Sequence, residues 1–201
     1  MTLATQLIDT TSQLPGPLLA RSNPLVAPAP ASAFTTQPAQ ASAVGILTLT
    51  ETKALKAQIG NTTAGNYSYI DTNSGLIGKY QFSADILASL GFVLLTTTND
   101  TLSSQSNWLN KSGIASKGDF LNSPSIQEIS MDYYLSILFS KLESKGLVNE
   151  STQSSSAGGM LCVANTLGVN NAVAWTNSPT IQGNNLYKQG RYAIEVLSKV
   201  R

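Results

Sequence analysis

Tyr67, Tyr69, Tyr80 and Gln81 fall close together in a stretch rich in glycine. It runs from Gly65-Asn66-Tyr67-Ser68, through Asp71-Thr72-Asn73-Ser74-Gly75, to Gly78-Lys79-Tyr80-Gln81-Phe82. Glycines at 65, 75 and 78 permit backbone angles and close approaches that a side chain would block. Flat aromatic faces beside amide groups suit a ligand that offers a ring face for stacking and hydroxyls for hydrogen bonding, which is the chemistry of a sugar. The same composition also describes two ordinary turns whose tyrosines cover a core, because pocket linings and core edges share residue types.

The rest of the composition removes several alternatives. The chain of 201 residues contains no histidine, which excludes histidine-based triads and the commonest metal ligand. The single cysteine, Cys162, lies in the apolar run Met160-Leu161-Cys162-Val163-Ala164 and reads as a small core residue. One cysteine provides neither an intrachain disulfide nor a zinc site, so no metal and no cofactor is expected. A net charge of +1 without a basic run gives no footprint for nucleic acid or anionic lipid. No stretch approaches the ~20 apolar residues of a membrane span, and the N-terminus lacks the basic start of a secretory signal. Only 11% of residues are charged against 42% hydrophobic, so Ser, Thr, Asn and Gln must cover much of the surface, as suits a packed assembly.

Two polymers are joined in this chain. Residues 1–47 form an extended arm rich in proline and alanine: six of the eight prolines (Pro15, Pro17, Pro24, Pro28, Pro30, Pro38) fall there, with only Asp9 and Arg21 charged. Repeated proline removes backbone donors and favours extended chain. Such a segment buries too little surface alone to offset its ordering entropy. It is therefore expected to lie along partner subunits, anchored by Leu14, Leu18, Leu19, Leu25, Val26 and Phe34.

Residues 48–201 read as a mainly α domain. Thr48-Leu49-Thr50-Glu51 spells a capping box, followed by a buried stripe of Leu49, Ala54, Leu55 and Ile59 and a stop at Gly60. Ser83 caps a short helix over 84–90, ended by Gly91. A polar stretch over 96–117 containing Trp108 reads as a surface excursion or lid. Ser123-Pro124 opens the longest helix, with serine as cap and proline at the first helical position. Apolar residues at 126, 129, 131, 134, 135, 138 and 142 carry it to Gly146, about 20 residues and ~30 Å. The Ser-rich run 151–156 reads as a loop, and helices are expected over 158–167, 170–176 and 191–200, with a turn at Gly183-Asn184-Asn185 before the last.

Taken in order, Ala64-Gly65-Asn66-Tyr67-Ser68, Gly78-Lys79-Tyr80-Gln81-Phe82, Trp108, and Asp119-Phe120-Leu121-Asn122-Ser123-Pro124-Ser125-Ile126-Gln127-Glu128 resemble the lysozyme-like lytic transglycosylase domains of tailed-phage structural proteins. Gly158-Gly159-Met160-Leu161-Cys162-Val163-Ala164-Asn165 and Gly190-Arg191-Tyr192 match later pieces of that pattern. The resemblance covers about residues 48–201. It implies a lysozyme-like fold with a groove for peptidoglycan, formed here by Tyr67, Tyr80, Gln81 and Asn165. It also implies residence in a virion tail or baseplate, assembled in the host cytoplasm, with other tail proteins as partners of the arm.

One departure decides the expected activity. The family carries Glu-Ser before its Asn-Tyr pair, and Thr62-Thr63 stand at that place here. By resemblance that glutamate protonates the glycosidic oxygen and later takes a proton from a sugar hydroxyl. A threonine has no comparable proton equilibrium near neutral pH, and losing acid–base help costs on the order of 10²–10⁴ in rate. Three other carboxylates are candidates. Glu51 lies eleven residues before Thr62, ~16 Å along a continuous helix, and has a capping role. Glu128 matches a position that by resemblance orients the long helix. Asp71, on the loop past the tyrosines, is the fallback acid. The expectation is a pseudoenzyme used as a structural component at a baseplate hub or tail tip. The alternatives are an active peptidoglycan hydrolase with a nonstandard acid, and a glycan-binding module outside a virion.

Overall fold

The spelling Thr48-Leu49-Thr50-Glu51 does start a helix. In the computed structural model, which describes residues 42–177 and 185–200, α1 spans Leu49–Gly60. Its capping box is closed at both ends: Glu51 N–H donates to Thr48 Oγ1 at 3.2 Å, and Thr48 N–H donates to Glu51 Oε2 at 2.8 Å. Glu51 is buried and also accepts from the Ser154 hydroxyl, so the cap pins a second helix. The buried face differs from the apolar stripe expected. Leu49 is exposed, whereas Thr52, Leu55, Lys56 and Ile59 face inward. Those four keep the i, i+3, i+4, i+7 spacing of one helix face, but two are polar and are accepted because partners await them. Thr52 Oγ1 accepts the Val44 N–H at 3.2 Å, and Lys56 meets two carboxylates.

The helical body also starts earlier than residue 48. Val44 and Leu47 are core residues, and the Ser42 N–H donates to Asp132 Oδ2 at 3.3 Å. The described residues all belong to one compact unit, Ala31–Arg201. The arm anchors Leu14, Leu18, Leu19, Leu25, Val26 and Phe34 lie outside the described residues, as does most of the turn at 183–185.

After α1 the chain tightens into a 3₁₀ turn, Asn61–Thr63, and reverses through Ala64 and Gly65, both at positive φ. Isolated antiparallel bridges, Ile70 with Ile77 and Ile77 with Phe82, hold the loop that follows. α2 (Ala84–Ser89) begins where Ser83 Oγ accepts the Ile86 N–H at 3.2 Å. The polar stretch after it is a largely exposed surface excursion pinned at a few buried residues. Val93 bridges to Trp108, and the Trp108 ring is buried, its Nε1–H donating to the Leu102 carbonyl at 2.9 Å. Beside it Phe120 packs edge-on to Phe82 and Phe92, with centroids 5.4 and 5.7 Å away. A few apolar residues, Leu102, Trp108 and Ile114, suffice to draw a hydrophilic segment onto the core.

Phe120 is carried by α3 (Lys117–Leu121), a short helix capped by Ser116 that the apolar pattern does not announce. α4 (Pro124–Ser144) opens on proline as expected, but the Ser123 hydroxyl makes no capping bond. The entry is closed by backbone instead: Ser123 N–H donates to the Phe120 carbonyl and Gln127 N–H to the Ser123 carbonyl. α5 (Ser154–Leu167), α6 (Val169–Asn177) and α7 (Asn185–Lys199) complete the body. α5 takes in the end of the serine run, and α7 starts six residues before the expected Arg191. α5 and α7 approach closely at Gly159 and Gly190. A Cβ at Gly190 would stand 2.6 Å from Val163 Cγ2, and one at Gly159 would stand 3.0 Å from the Gly190 carbonyl. The molecule is mainly helical, with no strand among the described residues.

Candidate functional site

A cavity of about 230 Å³ opens between the end of α1, the turn before α2, and the helices α5 and α7. Its polar lining is Thr62, Tyr80, Gln81, Asn165, Thr166 and Gln189, and its apolar lining is Ile59, Leu76, Ile86 and Cys162. Four residues singled out from sequence, Thr62, Tyr80, Gln81 and Asn165, therefore meet around one space.

Each is positioned by its own local structure. Thr62 sits in the 3₁₀ turn, where its hydroxyl donates to the Ile59 carbonyl at 3.3 Å. Thr63, next to it, turns inward and donates to the carbonyls of Gly60 and Lys79. Gln81 holds a left-handed backbone, φ +56°, with its amide donating to the Gly78 carbonyl at 3.2 Å. A non-glycine residue there costs about 1–2 kcal/mol, a cost found disproportionately at ligand-binding positions. Gln189 accepts from the Gln58 amide at 3.0 Å. Burial pushes the Cys162 thiol up to about 12, so it stays protonated. No described lining residue carries a charge.

The turn that carries Tyr80 and Gln81 is held from below by Gln127, which is wholly buried. Its Oε1 accepts the Lys79 N–H at 3.0 Å, and its Nε2 donates to the carbonyls of Tyr67 and Phe120, both at 3.0 Å. A Cβ at Gly78 would lie 2.3 Å from that Oε1. The glycine, with φ +76°, is thus required twice, for its backbone angle and for the space.

Tyr67 does not line the cavity. Its hydroxyl donates to Glu128 Oε1 at 2.7 Å, and the Tyr80 hydroxyl donates to the same oxygen at 2.6 Å. Lys79 Nζ joins them at 2.8 Å, over both rings at 4.8 and 4.9 Å from their centroids. The other oxygen, Oε2, meets Lys56 Nζ at 2.8 Å, and Lys56 also pairs with Asp132 Oδ1 at 2.7 Å. Lys56 is 3% exposed. Burial works against ionising Glu128, but bonds from Lys56, Lys79, Tyr80 and Tyr67 outweigh it and hold the carboxyl at about 2. Burial and the Glu128 bond push the Tyr80 hydroxyl well above its ordinary range and raise Tyr67 as well. Burial raises the Asp132 carboxyl against the pull of Lys56.

Asp71 stands apart from both groups. It is on the loop before Ile77, where its carboxylate accepts the Ser74 hydroxyl at 2.6 Å and the Asn73 N–H at 2.9 Å. Those bonds, the Ser74 one first, lower its acidity range. Sequence reasoning passed over Lys56 and Asp132. The available signal was a pair of acids, Glu128 and Asp132, one turn apart on a helix whose apolar residues mark an inward face, a placement that calls for nearby cations.

No family model, no curated protein and no solved structure matches this chain.

Proposed function

We propose that this chain is a lysozyme-like structural component of a tailed-phage particle, at a baseplate hub or tail tip, whose groove holds glycan strands without cleaving them. The observation that carries this reading is the make-up of the cavity: residues with amides and hydroxyls and apolar side chains surround it, and no described lining residue is a carboxylate. Thr62 lines it at the place where the resemblance expects the proton donor. Polyhydroxylated ligands are held by such neutral donors and acceptors with an apolar floor. Glycosidic cleavage requires a carboxylic acid kept protonated near working pH. Glu128 is the reverse, an anion held at about 2 by two ammonium groups, and Asp71 is exposed and lowered. The virion setting rests on the resemblance of the motifs and on the proline-rich arm over residues 1–47, which is read as the contact to neighbouring tail proteins.

Purified peptidoglycan sacculi provide the test. The chain is expected to co-sediment with them and leave turbidity unchanged, and Gln81→Ala with Asn165→Ala is expected to weaken sedimentation at least tenfold. Thr62→Glu is expected to introduce slow clearing by restoring a carboxyl to the groove. Clearing by the unaltered chain that disappears in Asp71→Asn would make it an active hydrolase instead. Mass spectrometry of purified particles, with the chain absent from tails, would remove the virion assignment while leaving glycan binding to stand or fall alone.

A further inference from the structure

Beside the cavity lies a charged assembly that is hydrogen-bonded to one of its lining residues, Tyr80. Lys56 is its centre. The ammonium reaches Glu128 Oε2 at 2.8 Å, Asp132 Oδ1 at 2.7 Å and the Glu128 backbone carbonyl at 3.3 Å. Glu128 then offers its other oxygen to Tyr67, Tyr80 and Lys79. A carboxylate gripped through one oxygen loses rotation about its terminal bond, so the other oxygen is fixed in direction. Buried ion clusters of this kind are often replaceable by apolar groups without loss of stability, and their best-attested use is to select one geometry.

We propose that Lys56 is a positioning residue: by fixing Glu128, it sets the orientation of the Tyr67 and Tyr80 side chains and so the shape of the groove wall that Tyr80 provides. The inference deepens the glycan-binding reading and rests on it for the choice of probe, but the positioning itself is measured without any ligand. Three features argue for it. Lys56 pairs with two carboxylates, so its ammonium is located by two ion pairs and a backbone bond. Tyr80, only 3% exposed, borders the cavity and donates its hydroxyl to Glu128, so one residue belongs to both the lining and the charged cluster. Lys79 Nζ pairs with the same Glu128 oxygen, lies over both rings and also donates to the Tyr67 hydroxyl at 3.2 Å, so both tyrosines pack against one anchored ion pair.

The experiment uses the full chain and three forms: the parent, Lys56→Arg, and Lys56→Met combined with Asp132→Leu. The double variant removes one charge of each sign, so Glu128 and Lys79 remain a neutral pair. The ring ζ-carbon resonances of Tyr67 and Tyr80, assigned with Tyr→Phe substitutions, report what their hydroxyls bond to. Both are expected to sit away from exposed tyrosines in the parent, to stay there in Lys56→Arg, and to move at least halfway towards exposed values in the double variant. Affinity for the N-acetylglucosamine tetramer is expected to fall at least fivefold in the double variant and less than twofold in Lys56→Arg. Unmoved resonances in a folded double variant would overturn the proposal. So would a double variant that fails to fold, because the cluster would then be structural first. If the parent does not bind the tetramer while the resonances shift as expected, the glycan reading fails and the positioning role stands.

Discussion

Tyr80 divides two environments that solve the same problem in opposite ways. On one side is a cavity whose described lining is neutral, with amides and hydroxyls beside Ile59, Leu76 and Ile86. On the other, Lys56 and Asp132, both buried, and Lys79 and Glu128, both half-buried, form a set of charges that pair with one another. Charges removed from water must find partners inside the protein, so those of the second region are fully engaged and offer little to a ligand. Neutral amides are cheaper to leave facing a solvent-filled space. Polarity of this kind marks a place for binding, whereas charge of this kind marks a place for holding. Glu128, far from the tyrosines in sequence, belongs to the holding region, whereas Asp71, their neighbour in sequence, belongs to neither.

The largest expected effect comes from unbalancing the charged side. Glu128→Gln takes the carboxylate from Lys79 and leaves Lys56 with Asp132 alone. Removing one partner of a buried pair typically costs 3–5 kcal/mol, which urea denaturation should register as a lower midpoint at unchanged slope. Gln127→Ala should come next. It strands the Lys79 N–H and the carbonyls of Tyr67 and Phe120, and a loss of about 2–3 kcal/mol follows from unsatisfied buried groups with a small cavity. A cost below ~1 kcal/mol for either would mean that water replaces the missing partner.

Acid titration sharpens the contrast further. Glu128 has a folded-state value of about 2, below its ordinary 4.5, so its contribution is complete above the ordinary value and is lost as pH falls towards 2. A quarter of the side chain meets solvent, and after discounting for screening the loss is on the order of 1–2 kcal/mol. Asp132 is shifted the other way; its protonation favours the folded state and offsets part of that loss as pH drops below its raised value. Glu128→Gln should flatten the fall in stability between about pH 4.5 and 2. The smallest effect belongs to the neutral side. Asn165→Ala should change stability by less than ~0.5 kcal/mol, the usual range for a substitution that breaks no buried network, while reducing glycan binding. A large loss of stability there would erase the distinction between the two regions.

Local signals in the chain were read well where the answer lies within a turn of the residue. The Thr48 and Glu51 box, the Ser83 cap and the entry of Pro124 into the longest helix all concern groups three or four residues apart. The apolar content of α5 similarly identifies a buried helix. Errors fell where the partner is distant. Leu49 has the right type for a core residue, but the inward face is chosen by Thr52 and Lys56, whose partners come from Val44, Glu128 and Asp132. Trp108 lies in a hydrophilic stretch, yet Leu102 and Phe120 give it a buried seat. In the candidate site, Tyr80, Gln81 and Asn165 of the expected groove line one cavity together with Thr62, whereas Tyr67 is bonded to Glu128 outside that lining.

The amino-acid sequence by itself determined the mainly helical character, the starts of α1, α2 and α4, and the absence of histidine chemistry, because these follow from composition and from bonds between near neighbours. Only the tertiary structure decided which polar residues are buried, which tyrosine faces the cavity, and what becomes of Glu128. Lys56 and Glu128 lie 72 residues apart along the chain. A lysine on a helix carries no local mark of the carboxylate it will meet, since their pairing is favourable only after packing has excluded the water that would otherwise solvate each.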